Sequence, residues 1–114
     1  MSAYADVRRT FSEVISTKLT GNSSGANDLI ALTASRKIRV LALSISVASA
    51  VNVKFTSGTG PTDITGLFYL TTGELNINLP FNPFGWFQTA AGEKLGMDLS
   101  SGVVTNLQIT YVLI

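Results

Sequence analysis

Hydrophobic residues recur at every second position through the middle of the chain. Leu41, Leu43, Ile45 and Val47 share one side of an extended segment, and Ala42, Ser44, Ser46 and Ala48 share the other. The same phase continues through Val51, Val53 and Phe55 against Asn52, Lys54 and Thr56, with Ser49-Ala50 as a tight turn or bend between them. Leu75, Ile77 and Leu79 alternate with Glu74, Asn76 and Asn78, and Leu95, Met97 and Leu99 with Lys94, Gly96 and Asp98. The last run sets Leu107, Ile109, Tyr111 and Leu113 against Asn106, Gln108, Thr110 and Val112. A period of two with one apolar side describes half-buried strands.

Turn chemistry separates these runs. Residues 21–28 read as a polar loop, Gly58-Thr59-Gly60-Pro61-Thr62-Asp63 as another, and Thr72-Gly73 and Ser100-Ser101-Gly102 as hairpin signals. About eight strands follow, near residues 13–20, 28–34, 37–48, 51–57, 65–72, 74–80, 93–100 and 103–113. That count predicts an all-β fold: a β-sandwich or jelly roll of two sheets, with an up-and-down barrel also compatible. No repeat of fixed period and no linker divides the chain, so residues 16–114 form one domain.

The first fifteen residues differ. Tyr4, Val7, Phe11 and Val14 recur at helical spacing, with Arg8 and Arg9 on the flank of that stripe. The segment is either a short helix or a partly extended N-terminal arm whose apolar residues dock on the domain or on a neighbouring subunit, since helices this short are marginal alone. As an arm it would contact a partner subunit or a larger assembly, with Val7 and Phe11 as anchors and Arg8 and Arg9 as charge contacts.

Composition narrows the chemistry. Charged residues make up 13% of the 114 positions, about half the usual share, and 12 Ser and 13 Thr fill the deficit. His and Cys are absent, which removes a structural zinc site, a thiol nucleophile, a disulfide framework and an imidazole-based serine triad. A net charge of +1 and the lack of an 18-residue apolar run imply neither a polybasic partner surface nor a membrane span. Met1 to Asp6 has no basic or apolar leader pattern, so synthesis in a cytoplasm is expected.

The carboxylates Asp6, Glu13, Asp28, Asp63, Glu74, Glu93 and Asp98 are scattered singly and read as solvated surface charges. Gly58-Thr59-Gly60 lacks the sequel of a phosphate loop and reads as a turn. Arg36-Lys37-Ile38-Arg39 is the densest basic cluster, too thin for nucleic acid and better read as charges guarding the start of a strand. No catalytic residue, metal ligand or cofactor site emerges, and the chain is not expected to be an enzyme. Charge is nevertheless polarised: residues 1–57 sum to +4 and residues 58–114 to −3. The two halves could tie the sheets' rims together or let one subunit's edge face the next.

The oddest segment is Phe81-Asn82-Pro83-Phe84-Gly85-Trp86-Phe87, with four aromatics in seven residues. Pro80 just before it and Pro83 within it cannot donate to a ladder, so it is an ordered corner. Phe81, Trp86 and Phe87 are expected to plug one end of the core; the alternative is that Phe84, Trp86 and Phe87 anchor a subunit interface.

The succession Ile64-Thr65-Gly66-Leu67-Phe68-Tyr69-Leu70, then Leu79-Pro80-Phe81-Asn82-Pro83 with Gly85-Trp86-Phe87, then Gly92-Glu93-Lys94-Leu95, resembles small structural proteins of tailed bacteriophages. Within them it is most similar to capsid decoration, or cement, proteins, over residues 36–114. The resemblance implies a β-sandwich that trimerises, binds the major capsid protein and sits on the outside of the virion head, with no nucleic acid, membrane or cofactor involved. It carries no catalytic residues. A tail-associated receptor- or carbohydrate-binding module is the competing expectation; it needs exposed aromatics beside free hydrogen-bonding groups.

Overall fold

The computed structural model describes residues 14–72 and 77–114. The stripe of Tyr4, Val7 and Phe11 with Arg8 and Arg9, like Glu74 and Leu75, lies outside these residues. Ten strands are described: β1 (Ile15–Gly21), β2 (Gly25–Ile30), β3 (Ile38–Val47), β4 (Val51–Ser57), β5 (Thr62–Asp63), β6 (Phe68–Leu70), β7 (Ile77–Leu79), β8 (Phe87–Gln88), β9 (Leu95–Leu99) and β10 (Thr105–Leu113). They form two antiparallel sheets. Sheet A runs β1-β10-β3-β7 with β8 also on β3, and sheet B runs β2-β9-β4-β5 with β6 also on β4. The fold is therefore the expected all-β sandwich.

Ten strands occur where about eight were expected because two edges are broken. Along β4, Asp63 pairs with Thr56 and Phe68 with Val53, while residues 64–67 between them are off the strand ladder. The Thr65 hydroxyl accepts the Phe55 N–H at 3.0 Å and takes over a bond that a strand backbone would make. Along β3, Ile77 to Leu79 pair with residues 45 to 43 and Phe87 with Val40; Pro80 and Pro83 interrupt the line between.

The alternation places the core as the pattern requires. Val40, Leu43, Ile45, Val53, Phe55, Leu95, Met97, Leu99 and Ile109 are buried together between the sheets. Phe55 and Phe87 stack with ring centroids 5.0 Å apart. The phase slips once in β3. Thr110 pairs with Ala42 but Tyr111 with Val40, so Leu41 is a bulge residue, buried yet outside the main cluster.

Two local expectations are corrected. Residues 21–28 are not one loop: β1 extends to Gly21 and β2 starts at Gly25. The Asn27 side chain makes the short turn possible, accepting the Ser23 N–H at 3.1 Å and donating to the Ser23 carbonyl at 2.8 Å. The signals at Thr72-Gly73 and at residues 100–102 are not hairpins either, because β6 and β9 lie in sheet B and β7 and β10 in sheet A. Turn residues reverse the chain without specifying whether it returns beside itself or crosses the sandwich.

Candidate functional site

The outward faces of the sheets are chemically unlike. On sheet B, Lys54 Nζ lies 3.1 Å from Asp63 and 3.9 Å from Asp98, and Lys94 lies 2.8 Å from Asp28. The polarised charge of the two chain halves is thus partly spent within one sheet face, joining β4 to β5 and β9, rather than between the rims. Asp63 and Asp98 flank a lysine and are open to solvent, without the enclosure that tunes a catalytic carboxyl pair.

The outward face of sheet A carries two charges among the described strand residues, Lys18 on β1 and Arg39 on β3, where it lies opposite Val112 and Gln88. Register places Ser16, Lys18 and Thr20 beside Thr110, Gln108 and Asn106, then Ala42, Ser44 and Ser46, then Asn78. Cross-strand hydrogen bonds order it: Thr20 to Asn106 at 2.9 Å, Ser16 with Thr110 at 3.1 Å, and Gln108 to Ser16 at 3.3 Å. Its far end holds a concavity of about 340 Å³ lined by side chains that include Lys18, Ser44, Ser46, Asn106 and Gln108.

The aromatic corner sits at the other end of the same sheet, over the β3 bulge. Asn82 N–H donates to the Leu41 carbonyl and Trp86 N–H to the Val40 carbonyl, both at 2.8 Å, so both ends of the excursion are pinned to β3. Gly85 takes a φ of +84°, which a side chain rarely adopts, and its missing Cβ leaves room for the Arg39 stem. The Asn82 amide is committed internally, accepting from Phe84 N–H at 3.0 Å and donating to the Gly85 carbonyl at 3.3 Å.

The expectation that Phe81, Trp86 and Phe87 all fill the core is corrected. Phe87 does pack on the core, but Phe81 is 54% exposed, Trp86 43% and Phe84 86%. The reason is the strand break: only Phe87 returns to the β3 ladder in phase with Val40, while residues 80–86 loop outward. Of the residues singled out for an interface, Phe84 and Trp86 come together on this corner and Phe87 lies beneath it; Val7, Arg8, Arg9 and Phe11 are outside the described residues.

The basic cluster is dispersed by its own hydrogen bonds. Arg36 Nη2 donates to the Leu113 carbonyl at 3.2 Å, and Arg39 Nε donates to Gln88 at 3.0 Å. What sequence reasoning missed is Gln88, whose amide orients Arg39 beneath the corner and whose two-residue strand carries no periodic signal.

Among the described residues no group of three or more acidic side chains could hold a metal ion. The assembled surface is an aromatic projection pinned to β3 beside a sheet face whose strand residues carry two cations, Lys18 and Arg39, and no carboxylate. Comparison with family models, curated proteins and solved structures finds no match to this chain.

Proposed function

We propose that this chain is a bacteriophage virion structural protein: a capsid decoration, or cement, protein that binds the major capsid protein on the outside of the head and stabilises it non-covalently, most simply as a homotrimer made in the host bacterial cytoplasm. The observation that carries this reading is the exposure of Phe84, Trp86 and Phe81 on a corner whose polar groups already bond within the chain. Fixed aromatics anchor protein contacts at little entropic cost. A carbohydrate platform would need free amide or carboxylate groups beside the rings, and the Asn82 amide is engaged at both its oxygen and its nitrogen while the Gln88 carbonyl is taken by Arg39.

The chain order supports the same reading. With each broken edge counted as one strand, sheet A and sheet B interleave so that the chain crosses the sandwich at almost every connection, as in a jelly roll. Cementing needs no reaction. Its free energy comes from many modest contacts made together, which a trimer multiplies.

The test is binding to expanded heads of the parent phage prepared without this protein. The chain should coat them and raise their resistance to heat. Deleting residues 1–13 tests the arm: a truncated chain that stays folded but coats heads more weakly supports its contact role, and unchanged coating removes it. Binding to a host glycan with no affinity for heads would replace this reading with the tail-module alternative.

A further inference from the structure

We infer that the outer face of sheet B holds a second site, a shallow pocket that takes one ring of a neutral sugar with the Tyr69 side chain as its stacking surface. The inference goes beyond the protein contact assigned to the aromatic corner and does not depend on it.

A pyranose ring presents a C–H face to be covered and hydroxyl groups that both donate and accept hydrogen bonds. A site for it needs an apolar plane beside uncommitted amide, hydroxyl or carboxylate groups. The corner has rings, but its Asn82 amide is spent within the chain. The concavity of sheet A has polar groups and no aromatic side chain in its lining. Sheet B brings the two kinds together.

Tyr69 pairs with Asn52 across β6 and β4, and it is 76% exposed. Side chains directly opposed on one face have their Cβ atoms about 5 Å apart, so the ring and the Asn52 amide are neighbours. One rung further, Lys54 pairs with Asp98. Ser100 is fixed beside Asn52: its N–H donates to the Asn52 carbonyl at 3.0 Å and its hydroxyl accepts the Asn52 N–H at 2.9 Å. With the partly exposed Leu67 at the side, Asn52, Ser100, Lys54 and Asp98 line an open concavity of about 180 Å³. That is room for a single sugar ring, with Tyr69 standing at its rim. Among the described residues the Asn52 side chain makes no hydrogen bond, and the Asp98 carboxylate meets only Lys54, at 3.9 Å. The Ser100 hydroxyl keeps its proton to donate. Donors and acceptors are therefore both available beside the ring.

Charge sets the class of sugar. Lys54 Nζ lies 3.1 Å from Asp63 and 3.9 Å from Asp98, so one cation is shared between two carboxylates and the three groups sum to −1. An acidic sugar or a phosphate would face uncompensated negative charge. A neutral sugar instead donates a hydroxyl to the Asp98 carboxylate, a charge-assisted bond.

The test is amide NMR of the isotope-labelled full chain titrated with the methyl glycosides of glucose, galactose, mannose and N-acetylglucosamine, and with methyl glucuronide as the acidic control. At least one neutral glycoside should shift the signals of Asn52, Tyr69 and Ser100, and saturation transferred from the protein should be strongest at the C–H protons of one sugar face. Tyr69→Ala should lose about tenfold or more in affinity, and Tyr69→Phe should stay within about twofold of the parent, since stacking needs the ring and not its hydroxyl. Both should melt as the parent does, because the side chain is exposed. Asp98→Asn should narrow the gap between the neutral glycosides and the glucuronide. No shift at these residues with any neutral glycoside would overturn the inference, as would equal binding by Tyr69→Ala, a preference for the glucuronide, or shifts confined to Phe84 and Trp86. Coating of heads by Tyr69→Ala reads the functional proposal separately: coating equal to the parent's leaves the cement role standing whether or not a sugar binds.

Discussion

The indole N–H of Trp86 donates to the carbonyl of Pro80 at 2.8 Å, closing the aromatic corner upon itself. Proline supplies a carbonyl but no donor, so this bond joins the two ends of the excursion where no ladder bond can form. The indole therefore has two roles on different parts of the ring: its N–H edge fastens the corner, and somewhat under half of its surface faces outward.

That division predicts modest stability effects at Trp86. Trp86→Phe removes the bond and keeps a ring, costing about 0.5–1.5 kcal/mol in thermal or urea unfolding. Trp86→Ala should cost well under the ~3–5 kcal/mol of a buried aromatic, because nearly half of the side chain is already wet. The chain's single Trp also reports directly: iodide should quench its fluorescence in the isolated copy and lose access on assembly.

Gly85→Ala is expected to be worse than its size suggests. The backbone φ of +84° costs an alanine about 1–2 kcal/mol, and the new Cβ would stand 2.5 Å from Arg39 Cγ. Arg39 is a long side chain that can yield, so placing Gly85→Ala in an Arg39→Ala background should recover part of the loss. Full recovery would show that φ contributes nothing; a comparison of melting temperatures across the four proteins decides.

In the core, Phe55→Ala should destabilise the chain by about 3–5 kcal/mol, since Phe55 is fully buried and supports Phe87. A double-mutant cycle with Phe87→Leu should return about 0.5–1.5 kcal/mol of coupling for the stacked rings. A coupling near zero would mean that the two rings contribute only separate buried area.

Thr89→Val is a sharper test of polar burial. Thr89 is 2% exposed, and its Oγ1 accepts the Ile38 N–H at 3.0 Å where β3 begins. Valine keeps the shape and leaves that N–H unpaired, at a cost of about 1–3 kcal/mol. Hydrogen exchange at the Ile38 amide should accelerate more than at Ile45 in the middle of the strand.

The period of two was enough to set β3, β4, β9 and β10 in place and to name most of the core, because each has one side buried along its whole length. It misplaced Leu41, set on the side of Leu43, Ile45 and Val47, because a bulge there adds a residue and leaves it outside the main cluster, and it was silent on β5 and β8, two-residue strands shorter than one alternation. The corner was legible as a break, since prolines cannot hold a ladder, but not as an exposed one. Whether Phe81 and Trp86 turn inward depends on which backbone donors reach β3, and Asn82 and Trp86 do so only through long-range geometry.

Salt separates the two outward faces as assembly surfaces. Sheet B is laced with ion pairs at Lys54 and Lys94, so an interface there would strengthen or weaken as ions screen it. Sheet A offers hydroxyl and amide groups with Lys18 and an Arg39 already bonded to Gln88, and the corner offers apolar rings. Raising salt from about 0.05 to 0.5 M shortens the screening length from roughly 14 to 4 Å and should leave association through sheet A nearly unchanged, within about threefold. Lys54→Met, which removes the shared cation of sheet B, should cost at most about 1 kcal/mol of stability and should not alter the oligomer, because exposed pairs contribute little. Sedimentation equilibrium at both salt concentrations makes the measurement. A tenfold weakening at high salt, or loss of the oligomer on Lys54→Met, would place the contact on the charged face and take the aromatic corner out of it.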